Sequence, residues 1–208
     1  MQRVFLLVLA AITLTGCAPN PWRSSFVANP SVGDVQFEPT DAVTLRAVEW
    51  ERLEAFGSEA RARAIARDLP PDAWPLELRR QEKGEFLRGL RVLEEPEGVI
   101  LLGSSAFVEP GTIDPYAGTL QQHAASIGAH YAVYSERYVG PRETIESYPM
   151  TTWYSDVRTR DGKKPRSGSS TTYVPVVVTR DSFQYVVYYL RRVDGMATEI
   201  LPPDQGWW

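Results

Sequence analysis

The chain has 208 residues, 22 Lys and Arg against 26 Asp and Glu, and a formal net charge of −4. That balance argues against general nucleic-acid binding and suits a soluble face in the periplasm or outside the cell. The length allows one domain with a sizeable core, and the single cysteine leaves no disulfide within the chain, so packing must hold the fold. Ten Tyr and six Trp favour sheet packing or a contact surface.

Arg3 gives a positive start, and Val4 to Ile12 form an apolar run too short to cross a bilayer as a permanent helix. Residues 1–16 are therefore expected to be an export signal. Cys17 follows at once, ahead of a loop-like Ala18, Pro19, Asn20 and Pro21. A lone thiol also reads as an inert core cysteine. Leu14, Thr15, Gly16 and Cys17, however, resemble the lipobox of bacterial lipoprotein precursors. The resemblance implies that Cys17 becomes the first residue of the mature chain, carrying a thioether-linked diacylglycerol and a third, amide-linked acyl chain. Ala18 rather than Asp in second place implies the outer membrane. Each buried methylene contributes about 0.8 kcal/mol and two chains already anchor stably, so attachment asks nothing of the folded part. No second run of about 20 apolar residues follows.

Residues 17–40, with Pro19, Pro21, Pro30, Pro39 and Gly33, read as the lipidated cysteine and a flexible tether of about 25 Å typical reach. Trp22 and Phe26 either touch headgroups or fold back on the domain. Residues 41–97 are expected to be mostly helical. Val43 to Trp50 is open between strand and helix start. A helix is predicted from Ser58, as cap, to Leu69, with Glu59 near its positive end, Arg67 near its negative end, and Pro70 and Pro71 stopping it. Arg61, Arg63 and Arg67 form a solvated face, or bind anionic lipid or a carboxylate partner. Leu76 to Leu93 suits a helix broken by Gly84 and Gly89.

Residues 98–208 predict an α+β sheet domain. Val99 to Leu102 is a continuous apolar run, extended by Ala106 and Phe107, as in a strand covered on both faces. Asp114 is predicted to cap a helix with Pro115 in its first position and with Ala117, Leu120, Ala124 and Ile127 on one face. Gly128 supplies a left-handed stop. Tyr131 to Tyr138 then reads as a second strand, so the crossover makes the two strands parallel in one sheet. Gly103, Ser105 and Phe107, with Ala124, Ile127, Gly128, Ala129 and Val133, resemble a module of small bacterial lipoproteins that brings no activity with it.

Glu146 to Val157 and Thr171 to Thr179 flank a polar loop at Asp161 and Gly162 and predict a hairpin, with Pro175 at an edge or bulge. Arg180 and Asp181 are expected to turn into an interior strand from Ser182 to Val193. Phe183, Tyr185, Val187 and Tyr189 face one way there, and Val186, Tyr188 and Leu190 the other. The tail from Pro202 ends in two Trp residues that cap the core or touch a partner.

The chemistry is sparse. His123 and His130 lack a Cys or carboxylate cluster and make a poor metal site. Ser104 and Ser105 follow Gly103, yet Phe107 stands where a nucleophile elbow needs glycine. Neither a Walker loop nor a dinucleotide fingerprint occurs, so neither a cofactor nor a metal is expected. Arg158, Arg160, Lys163, Lys164 and Arg166 are the most polarised run. They suit a solvated hairpin tip, or contact with lipid phosphates, lipopolysaccharide or peptidoglycan carboxylates. The expectation is a lipid-anchored, non-enzymatic binding or structural module of the cell envelope, its partners being the membrane and an envelope polymer or protein. A lipid-anchored hydrolase of envelope polymers is the alternative.

Overall fold

In the computed structural model, residues 20–33, 35–67, 73–155 and 167–193 are described. The expected export signal, Cys17, the run Arg158, Arg160, Lys163, Lys164 and Arg166, and the tail from Pro202 lie outside the described residues.

The elements are α1 (Pro21–Ser24), β1 (Phe26–Ala28), β2 (Thr44–Ala47), α2 (Trp50–Ala66), α3 (Leu76–Gly89), β3 (Val99–Pro110), α4 (Thr119–Ser126), β4 (Tyr131–Ser155) and β5 (Ser167–Arg192). The strands form one mixed sheet in the order β1-β3-β5-β4-β2, so the fold is α+β as expected. Both β3 and β4 run antiparallel to β5, and β2 runs parallel to β4. Hence β3 and β4 are parallel to each other, as the strand-helix-strand reading requires, with β5 lying between them.

Helices cover both faces, which explains why Val99 to Leu102 is apolar without alternation. Ile100, Leu102, Ala132, Tyr134, Tyr185, Val187 and Tyr189 join Trp22, Leu120 and Ala124 in one cluster. Val99, Leu101, Tyr131, Val133 and Leu190 join Phe86, Leu87, Leu90 and Val92 in the other, with Tyr188 packed against it. The alternation along β5 thus separates its side chains as the sequence predicts, and β5 is the central strand.

Between α2 and α3, Glu82 is only 3% exposed and takes hydrogen bonds from Arg63 Nε at 3.0 Å and Arg67 Nη1 at 2.7 Å. Burial works to raise the Glu82 carboxyl, but the bonds and charges of the two arginines outweigh it and leave it below its usual range. Arg63 and Arg67 thus depart from the solvated face expected first and pair with a carboxylate of this same chain.

Several boundaries differ from expectation, each for a local reason. The first long helix starts at Trp50, after an extended Glu49, so Ser58 lies mid-helix and donates its hydroxyl to Ala55 O at 2.8 Å instead of capping. Gly84 does not interrupt α3, which runs to Gly89 before Arg91 adopts a left-handed φ of 57°. Asp114 caps no helix: its Oδ1 accepts from Tyr116 N at 2.8 Å in a local turn, and α4 begins at Thr119 after Gly118. The stop at Gly128 is as predicted, with φ 76°. Arg180 and Asp181 make no turn; β5 passes straight through them because β4 supplies Arg142 and Pro141 opposite.

The largest departure is the tether. From Asn20 onward the chain is laid against the sheet as a strap, with β1 paired to β3 and Trp22 at 0% exposure. The Trp22 indole and Val32 are buried by this, with Phe26 and Phe37 packed against the same cluster, which outweighs the flexibility that the prolines suggested. Trp22 and Phe26 both fold back, and β2, within the part expected to be mostly helical, is an edge strand of the same sheet.

Candidate functional site: a β-ribbon arm

β4 and β5 are 25 and 26 residues long, far longer than the sheet they belong to. β3 ends opposite Ser182, and from Gly140 opposite Ser182 to Ser155 opposite Ser167 the two strands continue as a ribbon that pairs with no other strand among the described residues. At the strand rise, that is an arm of about 50 Å. It leaves the body at a register shift between Tyr138 and Gly140, where Gly140 has φ 98°. A bulge of this kind bends the strand and raises its twist.

A two-stranded ribbon is marginal in water by itself. This one also exposes Ile145, Tyr148, Met150, Trp153, Tyr154, Tyr173, Val176 and Val177, with Trp153 at 79% and Ile145 at 74%. Residues opposite one another share a face. One face carries Ile145 with Val177, Ser147 with Pro175, Pro149 with Tyr173, and Thr151 with Thr171, then Trp153. It holds no charge from Ile145 to Trp153 or from Ser169 to Val177. The other face carries Tyr148, Met150, Val174 and Val176 together with an ion pair in which Arg180 Nη2 donates to Glu146 Oε2 at 2.9 Å. That bond and the charge of Arg180 hold the Glu146 carboxyl below its ordinary range. Outward of Ile145 the two faces thus differ in charge although both are rich in apolar side chains, while nearer the base the first face carries Glu143 and Asp181. Pro175 does lie on an edge, since among the described residues no third strand flanks the ribbon.

The end of the sheet from which the arm departs also receives the N-terminal strap. Trp22 stacks edge-on against Phe107 at 4.9 Å and Tyr185 at 5.6 Å, and Asn20 Nδ2 donates to Thr119 O at 3.1 Å. β1 then runs from the row of Ser105 to that of Gly103, away from the arm. Asn20, three residues after Cys17, therefore sits at the arm end of the body.

Of the residues weighed for catalysis, Ser105 and His123 lie in the core, whereas Ser104 and His130 are half-buried. Ser105 is fully buried; its hydroxyl donates to Trp22 O at 2.7 Å and lies 3.1 Å from Tyr189 Oη. His123 is 5% exposed, set edge-on to Phe26 at 5.3 Å and Tyr189 at 5.2 Å, and neither ring nitrogen has a hydrogen-bond partner among the described residues. His130 instead accepts from Arg192 N at its Nδ1, 3.1 Å away. Among the described residues no three His, Cys, Asp or Glu side chains gather as a metal site. A groove of about 720 Å³ beside α3 is lined by Glu77, Arg80, Arg88, Glu94 and Glu95 with neighbouring apolar residues, and its lining includes no Ser, Thr, Cys or His.

Burial, aided by the positive charge of Arg23, pushes the His123 imidazole down to about 4. With a folded value below the unfolded 6.5, its contribution to stability is fully present above pH 6.5 and is lost as pH falls toward 4. Over that interval wild type should lose roughly 2–3 kcal/mol through this group. His123→Leu should remove that part of the pH dependence while matching or exceeding wild type at pH 7, as urea unfolding at pH 7 and pH 4.5 will read.

Sequence reasoning placed the hairpin but not its isolation, because a run rich in Tyr, Val and Thr reads alike in a sheet and in a free ribbon. The signal that was available is the spacing of Pro141, Pro149 and Pro175, since proline in a strand marks an edge. Comparison with protein-family models, curated proteins and solved structures finds no match.

Proposed function

We propose that this chain is a lipid-anchored, non-enzymatic module of the cell envelope, held by acyl chains on Cys17 at the outer membrane, whose working part is the β4–β5 arm. The observation that carries the reading is the arm itself: about 50 Å of paired strand that contributes nothing to the body's core and exposes aromatic and aliphatic side chains on both faces. Binding is favoured over catalysis because Ser105 and His123 are spent on packing, whereas the arm offers contact area. The sequence order Leu14, Thr15, Gly16, Cys17 supports the anchor.

The test compares wild type, Cys17→Ser, and a variant whose residues 144–178 are replaced by a short turn. Wild type should carry fatty-acid mass on Cys17 and fractionate with membranes, and Cys17→Ser should move to the soluble fraction. The shortened variant should keep the anchor and the thermal transition of the body but lose envelope crosslinks. Absence of acyl mass removes the anchor, and unchanged crosslinks in the shortened variant remove the arm as the working part.

A further inference from the structure

We infer that the uncharged stretch of one face of the arm, built on Ile145, Pro149, Trp153, Tyr173 and Val177 and lying outward of Glu143 and Asp181 at the base, docks into the headgroup layer of the bilayer to which the chain is anchored. The inference rests on the proposed anchor at Cys17 and adds the surface that meets the lipid.

Three independent features of the molecule lead to it. The first is placement. Asn20 is fixed to the body at the end from which the arm departs, and the three residues back to Cys17 span at most about 10 Å. An acylated Cys17 therefore brings the base of the arm to the bilayer surface. Had the segment to residue 40 been a free tether, no such constraint would exist.

The second is the chemistry of the face. Ile145, Trp153, Tyr173 and Val177 are each more than half exposed, and no charged residue stands among them. Tyr and Trp side chains favour the membrane interface, where the ring meets acyl chain and the polar end meets water. The opposite face keeps the Glu146–Arg180 ion pair, which belongs on the watery side. Charge thus orients the ribbon even though apolar content alone does not.

The third concerns the edges. In a ladder, proline is tolerated only where its missing N–H would have pointed away from the neighbouring strand. Pro141, Pro149 and Pro175 occupy alternate positions of the same phase in the β4–β5 register. They therefore interrupt the free edges of both strands, and this hinders the addition of a further strand from a partner or a second copy. A ribbon with open edges also cannot cross hydrocarbon, because those backbone groups would go unsatisfied there. What is left is contact through a face, at the depth of roughly 5–10 Å that interfacial elements reach, where water still serves the edges.

The experiment uses the acylated full chain in vesicles of phosphatidylethanolamine and phosphatidylglycerol. Single substitutions Ile145→Cys, Trp153→Cys and Tyr173→Cys on one face, and Met150→Cys and Val176→Cys on the other, carry an environment-sensitive fluorophore. All five positions are exposed, so the thermal transition of the body should be unchanged. With doxyl-labelled lipid present, the first three should shift to the blue and be quenched severalfold more than the last two. Equal, weak quenching on both faces of a chain whose acyl mass is intact overturns the docking and leaves the anchor standing. A blue shift that depends on protein concentration and not on doxyl lipid shows that a second copy covers the face, and also overturns it. Loss of acyl mass overturns the anchor and the docking together.

Discussion

Trp22→Ala is expected to cost about 3–5 kcal/mol, the range for truncating a fully buried tryptophan. The side chain is 0% exposed, wedged edge-on between Phe107 and Tyr185, with its Nε1 donating to Thr119 Oγ1 at 3.3 Å. Its carbonyl also takes the Ser105 hydroxyl, so the backbone is fixed as firmly as the ring. Domains of this size are commonly stable by only about 5–15 kcal/mol, so a loss on that scale should be plain in urea unfolding at pH 7. Trp153→Ala is the control. At 79% exposure it should change stability by no more than about 0.5 kcal/mol in the absence of membrane. If the two substitutions cost the same, the strap is not packed as described, and with it falls the placement of Asn20 beside the arm.

The strap gives a physical account of residues that the sequence marked without explaining. Gly103, Ser105, Phe107, Gly128 and Ala129 belong to one strand, β3, and to the turn after α4, and all five line the path of residues 20–33 and 35–38 or the core beneath it. Gly103 lies under β1, Ser105 holds the Trp22 carbonyl, and Phe107 packs the indole. At Gly128, with φ 76°, a Cβ would stand 2.6 Å from Glu38 O, and Arg191 Nη1 joins the two segments by donating to Gly128 O at 2.7 Å and Glu38 O at 3.1 Å. These residues thus form, in this chain, a seat for its own N-terminal segment.

How much of this could be read from residues alone varied with the kind of force at work. The strand at Val99, the hairpin and the two faces of β5 were legible because each follows from local periodicity and burial. The Gly128 stop was legible for the same reason, since its conformation is local. The docked strap was not: Pro19, Pro21 and Pro30 imitate a linker, while the groove that accepts Trp22 is assembled from β3, β5 and α4, some 80 to 165 residues later. Long-range packing overrides local composition there. The start of α2 failed for a smaller reason, because Ser58 offers an N-cap side chain in a helix that Glu49 had already begun. The arm lay between these cases. Its strands were predicted, but its freedom depends on where β3 ends, and within residues 140–182 only Pro141, Pro149 and Pro175 carry a trace of it, as marks of open edges.

Gly103→Ala is the second substitution expected to act strongly, and it probes the same strap from beneath. A Cβ at this position would stand 2.4 Å from Val27 O and 2.7 Å from the Phe26 ring, closer than any side chain tolerates. Since the first of these is backbone, β1 as a whole must shift, and the register Phe26–Ser105, Val27–Ser104, Ala28–Gly103 is only three pairs long. Overpacking of this sort costs about 1–3 kcal/mol. Here the displaced strand is also the one that seats Trp22, so the two substitutions share a structural consequence and should not add. In the double variant the strap is already loosened by loss of the indole, and Gly103→Ala should then cost less than it does alone, with a coupling of about 1 kcal/mol or more. Urea midpoints for the four members of the cycle decide it. Strict additivity would mean that β1 and α1 dock independently, in which case the bilayer could hold Trp22 while β1 stays paired, and the base of the arm would no longer be tied to the anchor through a single rigid segment.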